Sequence, residues 1–273
     1  MQYDPIKRSL GKVFNQTPIL RKIFYHLLDL LLLRAWHIRK ELRKRTHTSP
    51  EVKTILDAGS GFGQYTYRMA RWFPNATIKA VDIKPEQIAD CNQFMQKAHL
   101  ADRVQFELAD LTQFQEVNKY DLVLSVDVME HIEEDVLVFQ NFYASMKKGG
   151  LLLISTPSDQ GGSDSHDHDE EGGVHGFIDE HVRDGYNITD IETKLKSVGF
   201  STVEARYSYG EPGKISWKLS MKYPILMLGS SKLFFIILPF YYLITFPISV
   251  VLNFFDLGIN HKSGTGLIVK AWK

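Results

Sequence analysis

LDAGSGFGQYTYRMA, Leu56 to Ala70, is the stretch that decides the fold of this chain. An apolar run enters it, glycines follow at alternate positions, and a helix-compatible segment leaves it: strand, tight turn, helix. Gly59, Gly61 and Gly63 allow a sharp backbone turn and the close approach of a ligand to main-chain atoms. The spacing is G-x-G-x-G, and Gln64 stands where a dinucleotide fingerprint needs its last small residue. Asp57 ends the strand beside the turn, and a carboxylate there suits a cationic ligand better than a pyrophosphate. The alternative is a glycine-rich βα turn with no ligand at all.

Outward from this turn the chain alternates strand and helix. Strands are expected at Thr54–Ala58, Thr77–Asp82, Val104–Ala109, Asp121–Val126 and Leu151–Thr156. Helices are expected near Gln64–Trp72, Pro85–Ala98 and Asp135–Met146, with a further helix at Asn187–Ser197 before a sixth strand, Thr202–Tyr209. Gly266 to Lys273 reads as a seventh strand. The expected fold is α/β: a seven-stranded, mostly parallel, doubly wound sheet with right-handed crossovers and an antiparallel last strand. Asp82 closes the second strand, where a carboxylate can accept from two sugar hydroxyls, although acids are common at strand ends.

Asp57 to Gly63 reads D-x-G-x-G-x-G and so resembles the first motif of class I S-adenosylmethionine-dependent methyltransferases. SVDVMEHIEED, Ser125 to Asp135, is similar to the fourth motif of the group that includes ubiquinone and menaquinone methyltransferases, and LLLISTP to its fifth strand. The resemblance covers roughly residues 50–209 and the final strand; it is specific for fold and cofactor and unspecific for substrate. It implies S-adenosylmethionine as cofactor, with Asp57, Gly59, Ser60, Gly61 and Gly63 around the donor. It also implies Asp82 on the ribose, Ile83 beside the adenine, Asp110 and Leu111 at the adenine amino group, and Asp127 near both donor and acceptor. As an isolated residue, Asp110 reads equally well as a turn aspartate.

Three residues are candidates for the acceptor side. His131, in the common Glu-His pair, can deprotonate a phenol or enol because imidazole titrates near neutrality, or it braces the loop. His181 and Arg183, in a segment similar to an H-x-R region of the same group, face the acceptor or cap and pair with neighbours. Methyl transfer itself asks mainly for alignment, and a base only where the acceptor carries a proton. The acidic stretch from Ser158 holds His166, His168 and His175 among Asp164, Asp167, Asp169, Glu170 and Glu171, a set that could bind a divalent metal; no spacing matches a closed metal site, so a flexible lid without metal is expected.

Formal charge sums to zero, so no nucleic-acid partner is expected. The distribution is uneven: Met1 to Arg45 holds eleven Lys/Arg against three Asp/Glu, while Ser158 to Glu180 holds eight acids and no Lys or Arg. Cys91 is the single cysteine, so no intrachain disulfide forms, which fits a reducing compartment. The apolar stretch Leu27–Leu33 is interrupted by Asp29 and runs into a basic segment, unlike a secretory leader. Thr17-Pro18 reads as an N-cap and first-turn proline, after which apolar residues recur at helical spacing beside a basic flank. That N-terminal helix either packs on the catalytic domain or lies on an anionic membrane.

Between the sixth and seventh strands stands an insertion whose core, Leu233–Phe255, is 23 residues without formal charge. The length would span a bilayer, but both flanking strands belong to one sheet, so a single crossing is excluded. A hairpin, an interfacial segment or packing on protein remains, and Pro239 and Pro247 favour breaks over one straight helix. Lys214, Lys218 and Lys222 share one helix face, and Trp217, Tyr223, Tyr241 and Tyr242 suit a headgroup boundary. The expected organisation is an N-terminal amphipathic segment (1–48), a methyltransferase-like domain (49–210 plus 264–273) and an apolar docking insertion (211–263). The chain is expected at the cytoplasmic face of a membrane, acting on a lipophilic small molecule; an apolar subdomain or a dimer interface is the alternative reading of the insertion.

Overall fold

The alternation of strands and helices becomes one sheet. The computed structural model describes residues 17–46, 51–161, 182–231 and 233–273. Its strands are β1 (Thr54–Ala58), β2 (Thr77–Asp82), β3 (Val104–Leu108), β4 (Tyr120–Val126), β5 (Met146–Pro157), β6 (Thr202–Ser208) and β7 (Gly266–Trp272), in the order β3-β2-β1-β4-β5-β7-β6. The first five run parallel. β7 runs against β5: the Gly149 amide meets the Lys273 carbonyl at 2.8 Å and the Ser158 amide meets Thr265 at 3.1 Å. β1 and β4 sit centrally, with Asp57 in register with Ala80 on one side and Leu124 on the other. The strand order reverses between them, which is where ligands of such sheets bind, beyond the carboxyl ends.

The central strands are near-continuous apolar runs because both faces are covered. Ile55, Leu56, Leu122, Val123, Leu152 and Leu153 are all buried, each stabilising the fold by roughly 1.5–3 kcal/mol. β5 begins earlier than its sequence suggested: the Lys147-Lys148-Gly149-Gly150 stretch is taken into the strand, with an irregularity in register opposite Tyr120–Leu122.

Two N-terminal helices, α1 (Pro18–Leu31) and α2 (Leu33–Thr46), replace the single helix expected. Thr17 caps the first as predicted, its hydroxyl accepting from the Leu20 amide at 3.2 Å. The break is Leu32, whose φ −91° and ψ 109° are extended. It costs few hydrogen bonds, since the Leu32 amide still reaches Leu28 and the Trp36 indole donates to the Leu30 carbonyl at 3.2 Å. Between the strands lie α3 (Gln64–Trp72), α4 (Pro85–Lys97), α5 (Asp135–Ser145) and α6 (Ile188–Ser197).

The chain divides into two compact units. Among the described residues the first holds 40–46, 51–157, 182–206 and 267–273, and so carries the sheet. The second gathers 17–39, 158–161 and 207–266.

In the second unit the insertion is a helical hairpin. Its outgoing arm is α7 (Glu211–Trp217), a π-helical stretch (Lys218–Lys222) and α8 (Tyr223–Ser230); after an extended Ser231 it returns as α9 (Phe234–Gly258). The breaks expected at Pro239 and Pro247 do not occur: both lie within the 25-residue α9. Each removes one amide from the ladder. Both prolines face outward, while the inner side is pinned by Tyr241 and Tyr242, whose hydroxyls donate to the Leu219 and Ser220 carbonyls of the π segment, both at 2.8 Å.

The polarity of this hairpin is inverted. Ser216, Ser220, Ser249, Asn253 and Asp256 are buried, whereas Phe240, Leu243, Ile244, Val251 and Phe254 are exposed. Ser216 donates to Asn253 Oδ1 at 2.6 Å. The Asp256 carboxylate accepts from His37 Nε2 at 2.9 Å and from the amides of Tyr209 at 3.2 Å and Gly213 at 3.1 Å; His261 Nε2 lies 3.0 Å from the Asp256 main-chain carbonyl and 3.1 Å from the carboxylate. This knot ties α2 to both ends of the hairpin. α1 repeats the inversion, burying Arg21 against the Tyr25 hydroxyl and exposing Ile19, Ile23, Leu27 and Leu30 along one stripe.

Candidate active site

The glycine turn is held against β2 by its own amides. Those of Gly59 and Ser60 both donate to the Val81 carbonyl at 2.9 Å, and that of Gly63 to Ser60 at 2.9 Å. All three glycines have positive φ, +78°, +51° and +75°. Gly59 is fixed by space as well, because a Cβ there would lie 2.2 Å from Val128 Cγ2. At Gly61 a Cβ would meet nothing within 4 Å, so the turn is open there.

Two carboxyls flank this opening. Asp82 reaches across to the turn, accepting from the Gly61 amide at 2.8 Å through one oxygen and from the Lys84 amide at 3.0 Å through the other. Asp57 is fully buried under the turn and accepts from the Thr66 hydroxyl at 2.5 Å. Burial pushes its carboxyl up to about 7; the Thr66 bond opposes the shift and the nearby Asp82 charge adds to it. An acid so placed becomes a stable carboxylate when a cation arrives. The Ser60 hydroxyl is buried beside it with no hydrogen-bond partner, a donor and acceptor left for a ligand. Ile83, next to Asp82, is 66% exposed, an apolar surface on which a flat ring can rest.

Beyond β3, Asp110 accepts from the Thr112 amide at 2.9 Å and its hydroxyl at 2.8 Å, so this oxygen serves the turn. Leu111 is buried behind it. Asp127, at the end of β4, has φ +51°, a strained conformation for a non-glycine residue of the kind that collects at functional sites. Its amide is fixed to the Ser155 carbonyl at 2.8 Å. His131 ends a short 3-10 turn, Met129–His131, half-buried, with its amide on Val128.

Arg183 is spent on structure. Its guanidinium pairs with Asp135, donates to the Ile132 carbonyl at 2.5 Å and the Glu133 carbonyl at 3.1 Å, and lies over the Tyr186 ring at 4.9 Å. These are the neighbour-pairing contacts that the sequence left open as one alternative. His181 and the His/Asp stretch 164–175 lie outside the described residues.

Sequence reasoning missed Asp135 and its partners Tyr186 and Lys194, which hold this loop together with Glu130 of the Glu-His pair. Asp135, buried at the first turn of α5, accepts from the Tyr186 hydroxyl at 2.8 Å and Lys194 at 3.0 Å in addition to Arg183. Burial alone would raise its carboxyl; these bonds and charges outweigh it and hold it below the usual range. Glu130, buried, accepts from the Thr156 hydroxyl at 3.1 Å, and its carbonyl takes the Val182 amide at 3.1 Å. An acid in a helix's first turn carries no signal for such a role, since acids are common there.

The open turn, the paired carboxyls and the orphaned hydroxyl fit a ligand that combines a cationic end, a sugar and a flat ring, as S-adenosylmethionine does. A family profile described as a methyltransferase domain matches residues 51–194. The chain is similar to malonyl-acyl-carrier-protein O-methyltransferase 1 of Ilyobacter polytropus, 26% identical over 120 residues, which is 44% of each chain. It is also similar to phosphoethanolamine N-methyltransferase 1 of Arabidopsis thaliana, 28% identical over 178 residues, 61% of this chain and 32% of that one. The chain thus spans half or less of the length of these curated relatives. Its fold is similar to that of phosphoethanolamine N-methyltransferase 2 of Haemonchus contortus, solved with S-adenosyl-L-methionine: TM-score 0.61 at 20% identity, over 97% of this chain and 59% of that one. Profile, fold and turn chemistry agree, and the chain belongs to the methyltransferase-domain family, with the class I S-adenosylmethionine-dependent fold.

Proposed function

We propose that this protein transfers the methyl group of S-adenosylmethionine to an oxygen or carbon of a lipophilic small molecule, such as a quinol, phenolic lipid or polyene head group, reached at the cytoplasmic face of a membrane. When bound, the donor supplies a methyl on a sulfonium. Asp57, Ser60 and the glycine-turn amides would hold its amino-acid end, Asp82 its ribose and Ile83 its adenine. Asp127 stands at the strained strand end nearest the expected reaction centre, and His131 takes the acceptor proton where there is one. The observation that carries the lipophilic acceptor is the inverted hairpin: one chain joins this fold to a unit with polar residues inside and apolar residues outside.

The first test is calorimetric titration with S-adenosylmethionine, beside Asp82→Ala. Micromolar binding weakened ~30-fold or more by the substitution is expected, the loss of a charge-assisted bidentate contact. Absence of binding by folded protein overturns the reading. The acceptor class is then tested by incubating the protein and donor with lipid and aqueous extracts separately; S-adenosylhomocysteine should form only with lipid.

A second reading is N-methylation of a lipid amine headgroup. It is favoured by the phosphoethanolamine N-methyltransferases found among both sequence and fold relatives. A neutral amine needs no strong base, so an unchanged rate in His131→Ala would select it.

A further inference from the structure

The hairpin poses a geometric question that exposure alone does not answer: an apolar α9 can cross a bilayer, dip into it, or lie along it. Among the described residues α9 is the one helix long and apolar enough to cross, and only 6% of its most apolar window is buried. Its partner arm is different. Glu211, Lys214, Lys218 and Lys222 recur along that arm, and it does not qualify as a span. The two arms are pinned together by the Tyr241, Tyr242 and Ser216 hydrogen bonds, so they enter or stay out together.

Crossing would drag the lysine-bearing arm through hydrocarbon, at roughly 2.5–3.5 kcal/mol for each charge near the centre. A dip would make the apex the deepest point, and the apex holds Gly229, Ser230 and Ser231. Both hairpin ends lead into β6 and β7, neighbours in one sheet, so the chain returns to the side it left.

What remains fits an in-plane arrangement. At ~100° per residue the exposed side chains of α9 from Leu243 to Ile248 span an arc of about 140°, with Asn253 and Asp256 on the opposite side. Ile19, Ile23, Leu27 and Leu30 form a second apolar stripe on α1 in the same unit. The Phe235 and Leu243 carbonyls, deprived of amides by Pro239 and Pro247, also need water within reach, which the headgroup boundary provides and the bilayer centre does not.

We infer that the hairpin lies flat in one leaflet, α9 parallel to the membrane plane with its outer arc among the upper acyl chains and its apex at the headgroups, and that α1 lies beside it at similar depth. This rests on the membrane reading above and specifies its geometry.

The test is spin-label depth in vesicles of phosphatidylcholine with phosphatidylglycerol. Ile23→Cys, Ile236→Cys, Ile244→Cys, Val251→Cys and Ser230→Cys are labelled one at a time in the full chain. Cys91 is buried, and mock-labelled wild type controls for it. Retained S-adenosylmethionine binding shows that each variant is folded. The in-plane arrangement requires similar, shallow oxygen-accessible depths at 23, 236, 244 and 251, with 230 accessible to aqueous nickel chelate. A depth that changes steadily from 236 to 251, or a label at 230 deeper than the rest, overturns it while leaving membrane binding intact. Labels shielded from both oxygen and nickel overturn it in favour of a second copy covering the face. Failure of folded wild type to bind vesicles overturns the membrane reading itself.

Discussion

Asp57 concentrates the electrostatics of the site in one buried carboxyl. Its titration is raised to about 7, above the ordinary carboxylate range. The neutral form is favoured in the fold, so its contribution to stability is full below about pH 4 and is lost as pH rises through about 7. Asp57→Asn should therefore be more stable than wild type at pH 8, by on the order of 2–4 kcal/mol, and less so at pH 4, which paired thermal melts at the two pH values would register. A cationic donor reverses the preference. Near pH 6.5, donor binding should release about three-quarters of a proton, read from calorimetry in buffers of different ionisation enthalpy, and Asp57→Asn should release none. Binding heats independent of the buffer would remove Asp57 from the cationic end of the ligand.

At the scale of elements, the loop from Asp127 to Asp135 is positioned from behind. Asp135 is the shared anion of Arg183, Lys194 and Tyr186; removing it takes away the carboxylate paired with Arg183, while Lys194 keeps Asp190 at 3.0 Å. Asp135→Ala should lower stability by about 3 kcal/mol in urea unfolding while leaving donor affinity within a few-fold, because Asp57, Asp82 and the glycine turn do not depend on it. Its low titration also means that this stabilisation fades as pH falls, opposite in sign to Asp57. The contrast explains what sequence could reveal. The ends of β1, β2, α3 and the Thr17 cap were legible, because glycine spacing, alternation and capping chemistry are local. Asp135, Tyr186 and Lys194 were not, because they meet only when distant segments pack. For Arg183 the sequence left two sides open, acceptor or neighbouring loop, since a motif records a residue and not which way it faces. The prolines of α9 misled for a related reason: they disfavour a helix locally, and the inner-face hydrogen bonds of the hairpin decide.

For the molecule as a whole, the sequence showed that a long apolar insertion separates β6 from β7, and the structure adds its inverted polarity. Deletion of residues 211–262 should abolish vesicle co-sedimentation. If the sheet closes without them, S-adenosylmethionine affinity should stay within a few-fold, and a folded deletion variant that still sediments with vesicles would assign docking to α1 alone. Polar contacts inside the second unit converge on Asp256, which meets His37, Tyr209, Gly213 and His261. Gly210 and Gly213 permit this convergence: a Cβ at Gly210 would lie 2.1 Å from the His261 ring, and one at Gly213 would lie 2.5 Å from the Asp256 carboxylate.

The placement of β7 between β5 and β6 has a consequence for the order of assembly. In a sheet whose last two strands are joined by a tight turn, they pair as they emerge. Here residues 209–265 intervene, and the strand that fills the gap beside β5 is the last made. The added loop-closure entropy is modest, roughly 2 kcal/mol, but the pairing becomes non-local and correspondingly slow. During synthesis the hairpin leaves the ribosome before β7 does. Under the membrane docking proposed above, its apolar arc would meet a bilayer while the sheet is still one strand short, and completion of the sheet would follow docking.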